Sequence, residues 1–324
     1  MFGDKLRFRF SKTGTLRLLS HHDLMRCLER MLRRAALPFK STAGFHPGPR
    51  VVFALSLPLG VAGLDEVVEI EFLKELDDSE TLAVLRSQAP EGLSFNRVSV
   101  LPMKATGVPR RIVYRLAIPE ERVETVTLRC AELLAQEKVW VERLKPNPKR
   151  LNIRPYLRNM SVASLAAVGN SSASGESLPP TVSQSLDTSP TRGEDKNTDL
   201  FSVLPSPLVG EGGESSSRVG GSDYSPERLS PLARLELDLW VTGTGTARAD
   251  ELMKLLNVTD LIDAGSVVER STVELRDEFV GSDPADVPPD GQADTLPLDA
   301  AAIANLTQQK EDDQLVSAMG PVVE

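Results

Sequence analysis

Apolar and polar positions alternate along Lys5 to Phe10, with Leu6, Phe8 and Phe10 set against Lys5, Arg7 and Arg9. That period of two predicts a strand with one buried and one wet face. The period then changes. Leu24, Leu28, Met31, Leu32 and Ala35 recur at three- and four-residue steps, which predicts an amphipathic helix with Arg26, Arg30 and Arg33 on the opposite side beside His22 and Asp23. Ser20 followed by Asp23 has the serine-x-x-acid spacing of a helix N-terminal cap, and Pro38 closes the helix. A strand over Arg50–Leu57, a strand over Glu66–Phe72, a helix over Asp78–Gln88 opened by Asp78 or Ser79, and a strand over Phe95–Leu101 follow. Strand, helix, strand, strand, helix, strand is the split unit of a ferredoxin-like fold.

The outline repeats with interruptions. Arg111–Ile118 reads as a strand, Glu120–Glu137 as a helix whose apolar side is Val123, Val126, Cys130, Leu133 and Leu134, and Val139–Leu144 as a strand. A basic loop over Lys145–Arg158 follows, then a strand over Leu235–Val241, a short helix over Ala249–Leu256 and a strand over Val267–Leu275. The predicted class is α+β, two tandem ferredoxin-like halves with antiparallel sheets and helices on one face. The first half takes residues 1–103 and the second 104–163 with 232–276. Residues 164–231 are rich in Ser, Gly and Pro, with four basic and nine acidic side chains. Such a stretch buries too little apolar surface to offset its ordering entropy and is expected to be a disordered insertion. Residues 277–324 carry eleven acids and one lysine and read as a disordered acidic tail, with Ala300–Leu306 a short helix at most.

Composition changes the picture in one respect. The formal charge of -9 over 324 residues hides a split: 27 basic and 18 acidic side chains up to residue 160, then 10 and 28. Residues 1–50 alone hold eleven Lys and Arg against three acids. That asymmetry suggests a basic working module with acidic appendages. The two cysteines, Cys27 and Cys130, fall near the apolar sides of their predicted helices and read as reduced core residues. No apolar run approaches the roughly 18 residues of a membrane span, so the expected address is the cytoplasm, without a membrane partner.

Two basic stretches are candidate nucleic-acid surfaces. The first is Arg26, Arg30 and Arg33 with Lys12, Arg17, His22, Phe45 and Arg50, because the planar guanidinium fork matches phosphate oxygens. The second is Lys149, Arg150, Arg154 and Tyr156, flanked by Lys145 and Arg158, where an aromatic ring among cations suits stacking on unpaired RNA bases. All three histidines lie in residues 21–46. His21 reads first as a hydrogen-bonded structural residue. If the loop Gly44–Arg50 folds back over the helix, His21 and His46 with Asp23 would instead make a metal-free RNA-cleaving site. His21 and His22 point about 100 degrees apart on a helix and cannot easily share one ion, so neither a metal nor a cofactor is expected.

The stretches RFSKTG at 9–14, SHHDLMRCLERMLRRA at 20–35, GFHPGPR at 44–50 and FALSLPLGV at 53–61 resemble the bacterial radical-SAM-associated (radical-SAM-linked) domain family, a domain of unknown function. NIRPYL at 152–157 and GTGTARADELMKLL at 243–256 extend the likeness. His22, Asn152 and Ala249 depart from it, standing where an apolar residue, Asp and Pro are usual. The resemblance implies a separately encoded radical SAM enzyme as partner, and RNA or a ribosomal component as a second one. Two cysteines cannot supply the three thiolates of a radical SAM iron–sulfur cluster. The expectation is therefore a non-catalytic RNA- or ribonucleoprotein-binding module that recruits substrate to that enzyme. A metal-free endonuclease and a pure protein–protein adaptor are the alternatives.

Overall fold

Both faces of the first strand are buried. A computed structural model of the chain describes residues 4–145, 147–164, 233–279, 281 and 293–308. In it β1 (Lys5–Lys12) lies between β3 (Ala62–Glu71) and β4 (Leu93–Leu101), antiparallel to each. Leu6, Phe8 and Phe10 pack on α1 (His21–Arg34) and α2 (Asp78–Gln88) in an apolar core with Leu24, Leu28, Met31, Leu32 and Leu85. The expected wet face is also closed: Lys5, Arg7 and Arg9 are at most 4 % exposed. This corrects the one-sided reading of the alternation. The physical reason is a buried carboxylate, Glu69, whose Oε1 accepts from Arg7 Nε at 3.0 Å and whose Oε2 lies 2.7 Å from Lys5 Nζ.

The short strand β2 (Val51–Phe53) pairs with β3, so the strands of this part run β4-β1-β3-β2. Only three residues of the strand predicted over Arg50–Leu57 form it. The second part contains β5 (Pro109–Ile118), α3 (Glu120–Ala135), β8 (Leu157–Ser164), β9 (Ala233–Trp240), α4 (Ala249–Leu255), α5 (Thr259–Asp263) and β10 (Glu269–Leu275). Its strands run β10-β5-β9-β8, over a second core that includes Val126, Cys130 and Leu133 of α3 and Leu252 and Met253 of α4. The predicted basic loop is not a loop throughout. Within it β7 (Lys149–Asn152) pairs with β6 (Trp140–Arg143) and with β11 (Thr295–Pro297) in a small separate sheet.

The tail therefore departs from its expectation where it is described. Arg276–Glu278 form a 3-10 turn whose Asp277 and Glu278 carboxylates pair with Arg7 and Arg9, β11 joins the small sheet, and residues 300–308 are helical. The acids order because they meet buried cations that lack enough partners in the sheet itself. The predicted insertion lies outside the described residues apart from Ser164 at the end of β8.

One joint turns the two sets of strands into a single sheet. β10 lies antiparallel to β5 but parallel to β3, and its pairing with β3 covers Glu269–Arg270 against Ala62–Gly63. Arg270, 1 % exposed, donates from Nε to Glu66 Oε1 at 2.8 Å and from Nη1 to the Ser56 carbonyl at 3.0 Å, and its charge interacts with Tyr114. Gly63 is required beside this pair, since a Cβ there would sit 2.5 Å from Glu66 Cγ and push the carboxylate off Arg270.

The helix that carries the basic face begins as the spacing predicts: Ser20 Oγ accepts from the Asp23 backbone N–H at 3.2 Å. Its end is set before Pro38. Ala36 takes a left-handed conformation (φ 52°), and Leu37 N–H reaches the Leu32 carbonyl at 3.1 Å while Ala36 N–H reaches Arg33 at 3.1 Å, the Schellman arrangement.

Three outcomes follow from these contacts, each read by chemical denaturation of the full chain. Arg270→Met leaves Glu66 buried and unpaired and should cost about 3–5 kcal/mol, whereas Arg270→Met with Glu66→Leu should recover most of the loss. Equal stability of single and double variants would refute the pairing as the source of the cost. Gly63→Ala should cost about 1–3 kcal/mol by displacing Glu66. Ala36→Gly should stabilise by about 1 kcal/mol, because glycine takes the left-handed cap without the Cβ penalty.

Candidate nucleic-acid interface

The 40–50 loop does fold back over α1. Its base is tied to β3 by the main chain, with Lys40 N–H on the Glu71 carbonyl at 2.8 Å and Glu71 N–H on the Arg50 carbonyl at 3.1 Å. The Glu71 side chain adds a clamp, its Oε2 lying 3.2 Å from both Lys40 Nζ and Arg50 Nη1. Burial acts to raise the pKa of this carboxyl, but the hydrogen bonds and charges of Lys40 and Arg50 outweigh it and hold the group below the usual carboxylate range. Higher up, Thr42 N–H donates to the Gly48 carbonyl at 2.8 Å and Gly48 N–H donates to Thr42 Oγ1 at 3.2 Å. Gly44 turns the tip at φ 138°, a conformation that favours glycine, and Phe45 beside it is fully exposed.

Between loop and helix lies a cleft of about 260 Å³ lined by His22, Met25, Arg26, Glu29, Thr42 and His46, among others. His22, Arg26 and His46 thus come together, with Phe45 next to His46 in the loop and Arg30 and Arg33 one and two turns along the exposed side of α1. His22 is exposed and lines this cleft. Arg26 reaches Asp23 at 3.4 Å, and Arg33 pairs with Glu29 at 2.8 Å while its guanidinium stands 5.3 Å from the Phe39 ring. These are exposed pairs on one helix, weak enough for an anion to exchange with them. Arg30 is exposed and has no ion-pair partner among the described residues.

Other candidates go elsewhere. Lys12 is 1 % exposed and donates to the Leu19 carbonyl at 2.6 Å, so it is no part of a surface; burial lowers its pKa against the opposing charge of Glu66. Arg17 caps its own 3-10 turn through the Gly14 carbonyl at 3.1 Å and faces a different groove, with Leu59 and Met253. His21 stacks edge-on against Phe53 at 4.9 Å between ring centroids and does not line the cleft. Burial, then the charges of His22 and Lys12, lower its pKa below the ordinary histidine value. The cleft therefore brings His22, and not His21, beside His46. Asp23 accepts from Ser20 Oγ at 2.7 Å and belongs to the helix cap.

The second basic stretch does not form one surface. Tyr156 is 1 % exposed, with its hydroxyl 3.2 Å from Thr244 Oγ1. Arg154 donates to the carbonyls of Leu134, Gln136 and Leu157 at 2.8–3.1 Å and holds the end of α3 against β8. Arg150 leans over the Trp140 ring at 5.7 Å, Lys149 is half-buried in β7, and Arg158 pairs with Asp238. Tyr156 is part of the second core and Arg154 holds the end of α3, whereas Lys149 and the exposed Arg150 belong to the small sheet, so the stretch is divided between them. Asn152 supplies the acceptor its place demands, since Oδ1 takes the N–H groups of Val139 at 2.9 Å and Arg154 at 3.1 Å.

Sequence patterning passed over Phe53, Glu71 and Arg97. An exposed cation at an edge-strand position such as Arg97 has no periodic signature. Glu71 alternates like any half-wet strand residue, and only its two opposing cations distinguish it.

No helix among the described residues is long and apolar enough to cross a membrane, and no group of three or more His, Cys, Asp or Glu among them is arranged to hold a metal ion. No curated protein matches the chain. A family model described as "Uncharacterized protein conserved in bacteria (DUF2344)" matches residues 5–182, more than half of the sequence, and the chain belongs to that family.

Proposed function

We propose that this protein binds single-stranded RNA, free or in a ribonucleoprotein, across α1 and the 40–50 loop, and presents it to a separately encoded radical SAM enzyme. The observation that carries the RNA reading is Phe45, fully exposed at the glycine-turned tip of the loop that with α1 walls the cleft, where Arg26 and Arg33 have exposed partners and Arg30 has no ion-pair partner among the described residues. An exposed phenyl ring at a loop tip is free to stack, and unstacked bases offer a face that it can cover. Arg26, Arg30, Arg33 and Arg50 would hold the backbone phosphates while Phe45 stacks, a division between positioning contacts and a base-face contact. The strand orders β4-β1-β3-β2 and β10-β5-β9-β8 support reading the scaffold as two ferredoxin-like halves fused through β10. The radical SAM partner rests on the resemblance of the α1 and loop motifs, and the protein's own role in this reading is recruitment, without catalysis.

Fluorescence anisotropy with a labelled single-stranded RNA tests the first part. Binding should weaken as salt rises, Phe45→Ala should weaken it by roughly 5- to 100-fold at every salt concentration, and charge reversal at Arg26, Arg30 and Arg33 should flatten the salt dependence. Absence of binding at low salt, or a Phe45→Ala protein that binds like the native one, would refute it. For the second part, the radical SAM enzyme encoded nearest in the genome should co-purify with the native chain, and nuclease treatment should reduce its recovery. Undiminished recovery after nuclease with no bound RNA would favour the pure adaptor.

A further inference from the structure

We propose that a second anion site lies on the opposite face of β1, built for a phosphate dianion such as a phosphomonoester and held closed by the carboxylates of Asp277 and Glu278. This does not rest on the RNA reading, because Lys5, Arg7 and Arg9 point away from the α1 side on which Leu6, Phe8 and Phe10 pack.

The floor is fixed. Arg7 and Arg9 side chains are 3 % and 5 % exposed. Arg7 is anchored by Glu69, and Arg9 by Asp65 at 2.6 Å and the Val273 carbonyl at 2.6 Å. Above them opens a cleft of about 610 Å³ that Arg97, Ser99 and Thr272 also line. Arg97 stands directly across the ladder from Arg9, is exposed, and has no ion-pair partner among the described residues. Two like charges facing each other across strands repel, an arrangement that is relieved when an anion lies between them. Arg9 lines this cleft, and its buried Nε finds no hydrogen-bond partner among the described residues.

Charge bookkeeping shows what fills the site. Lys5, Arg7, Arg9 and Arg97 bring four positive charges, and Glu69 and Asp65 neutralise two. Glu274 at the rim is engaged by Arg110 and Arg111. Asp277, 2.7 Å from Arg7, and Glu278, whose two oxygens bridge Arg7 and Arg9, bring the four to formal neutrality, although both carboxylates pair with Arg7 and Arg9 and no ion pair to Arg97 is formed among the described residues. A carboxylate spanning two guanidinium groups occupies the place that two phosphate oxygens would take. The two kinds of partner differ in burial: Asp277 and Glu278 side chains are 43 % and 31 % exposed and sit on a three-residue turn after β10. The arginines are part of the sheet, and the turn is the part that can be displaced.

Full-length Asp277→Asn/Glu278→Gln protein, with inorganic phosphate as probe, tests this. By titration calorimetry the double variant should bind phosphate at least ten-fold more tightly than the native chain, and adding Arg97→Ala should weaken that binding several-fold. The double variant should also melt at a higher temperature in phosphate than in chloride of equal ionic strength, a gain the native chain should not show. If the variant is folded and its phosphate affinity equals that of the native chain, the site is refuted. If it is destabilised and phosphate restores no more than chloride does, the two carboxylates are structural partners only and the proposal falls.

Discussion

The structure depends on charges that are buried inside a sheet and must find each other. Lys5 and Arg7 meet at Glu69, and Arg270 meets Glu66 at the short parallel step where β10 joins β3. An ion pair out of water contributes little net stability, because desolvation opposes the Coulomb attraction, but half of such a pair is strongly unfavourable. Its main effect is therefore selection. Only one register sets each carboxylate on its cation, and a slip of one residue would bury both ions alone. Two paired residues of main chain would scarcely specify how β10 meets β3, and the Arg270–Glu66 pair, with Gly63 leaving room for it, makes that choice unique.

The same network alters what the basic N-terminal segment means. Four of its eleven cations, Lys5, Arg7, Arg9 and Lys12, are inside the protein. Their counter-charges, Asp65, Glu66, Glu69, Asp277 and Glu278, lie later in the chain. Part of the asymmetry between the two ends of the sequence is thus internal compensation across the fold. The surface that remains basic is smaller and better defined: one side of α1 and the loop beside it, which Glu71 clamps to β3. Arg154 and Tyr156, which resemble a nucleic-acid motif in sequence, are used to close the second core.

The two faces of β1 therefore do different things. One carries the apolar core that sets α1 with its exposed cations, and β3 holds the base of the loop that bears the exposed phenyl ring. The other holds rigid arginines covered by a turn from the C-terminal segment. Rigid elements supply position on both sides, and the less anchored pieces, loop tip and turn, supply contact.

Local pattern was enough for elements whose cause is local. The period of α1, its Ser20 cap, the span of the helix over Asp78–Gln88, which Asp77 caps instead of Asp78 or Ser79, and the extended character of β1 and β5 follow from neighbours within a few residues, and the structure keeps them. The approach of the Gly44–Arg50 loop to α1 was legible only as a condition, because Gly and Pro mark a turn there without fixing its direction. What required the tertiary structure was every assignment that depends on a partner distant in sequence. Arg7 and Arg9 alternate like solvent-facing residues, and Asp277 and Glu278 read as a solvated tail, until 270 residues of separation are closed in space. Whether His21 or His22 joins His46 turns on a ring contact with Phe53 that no spacing predicts. A sequence reports the charge and periodicity of each side chain, but burial is a property of the assembled sheet, and for these cations burial decides whether they hold the fold or face a ligand.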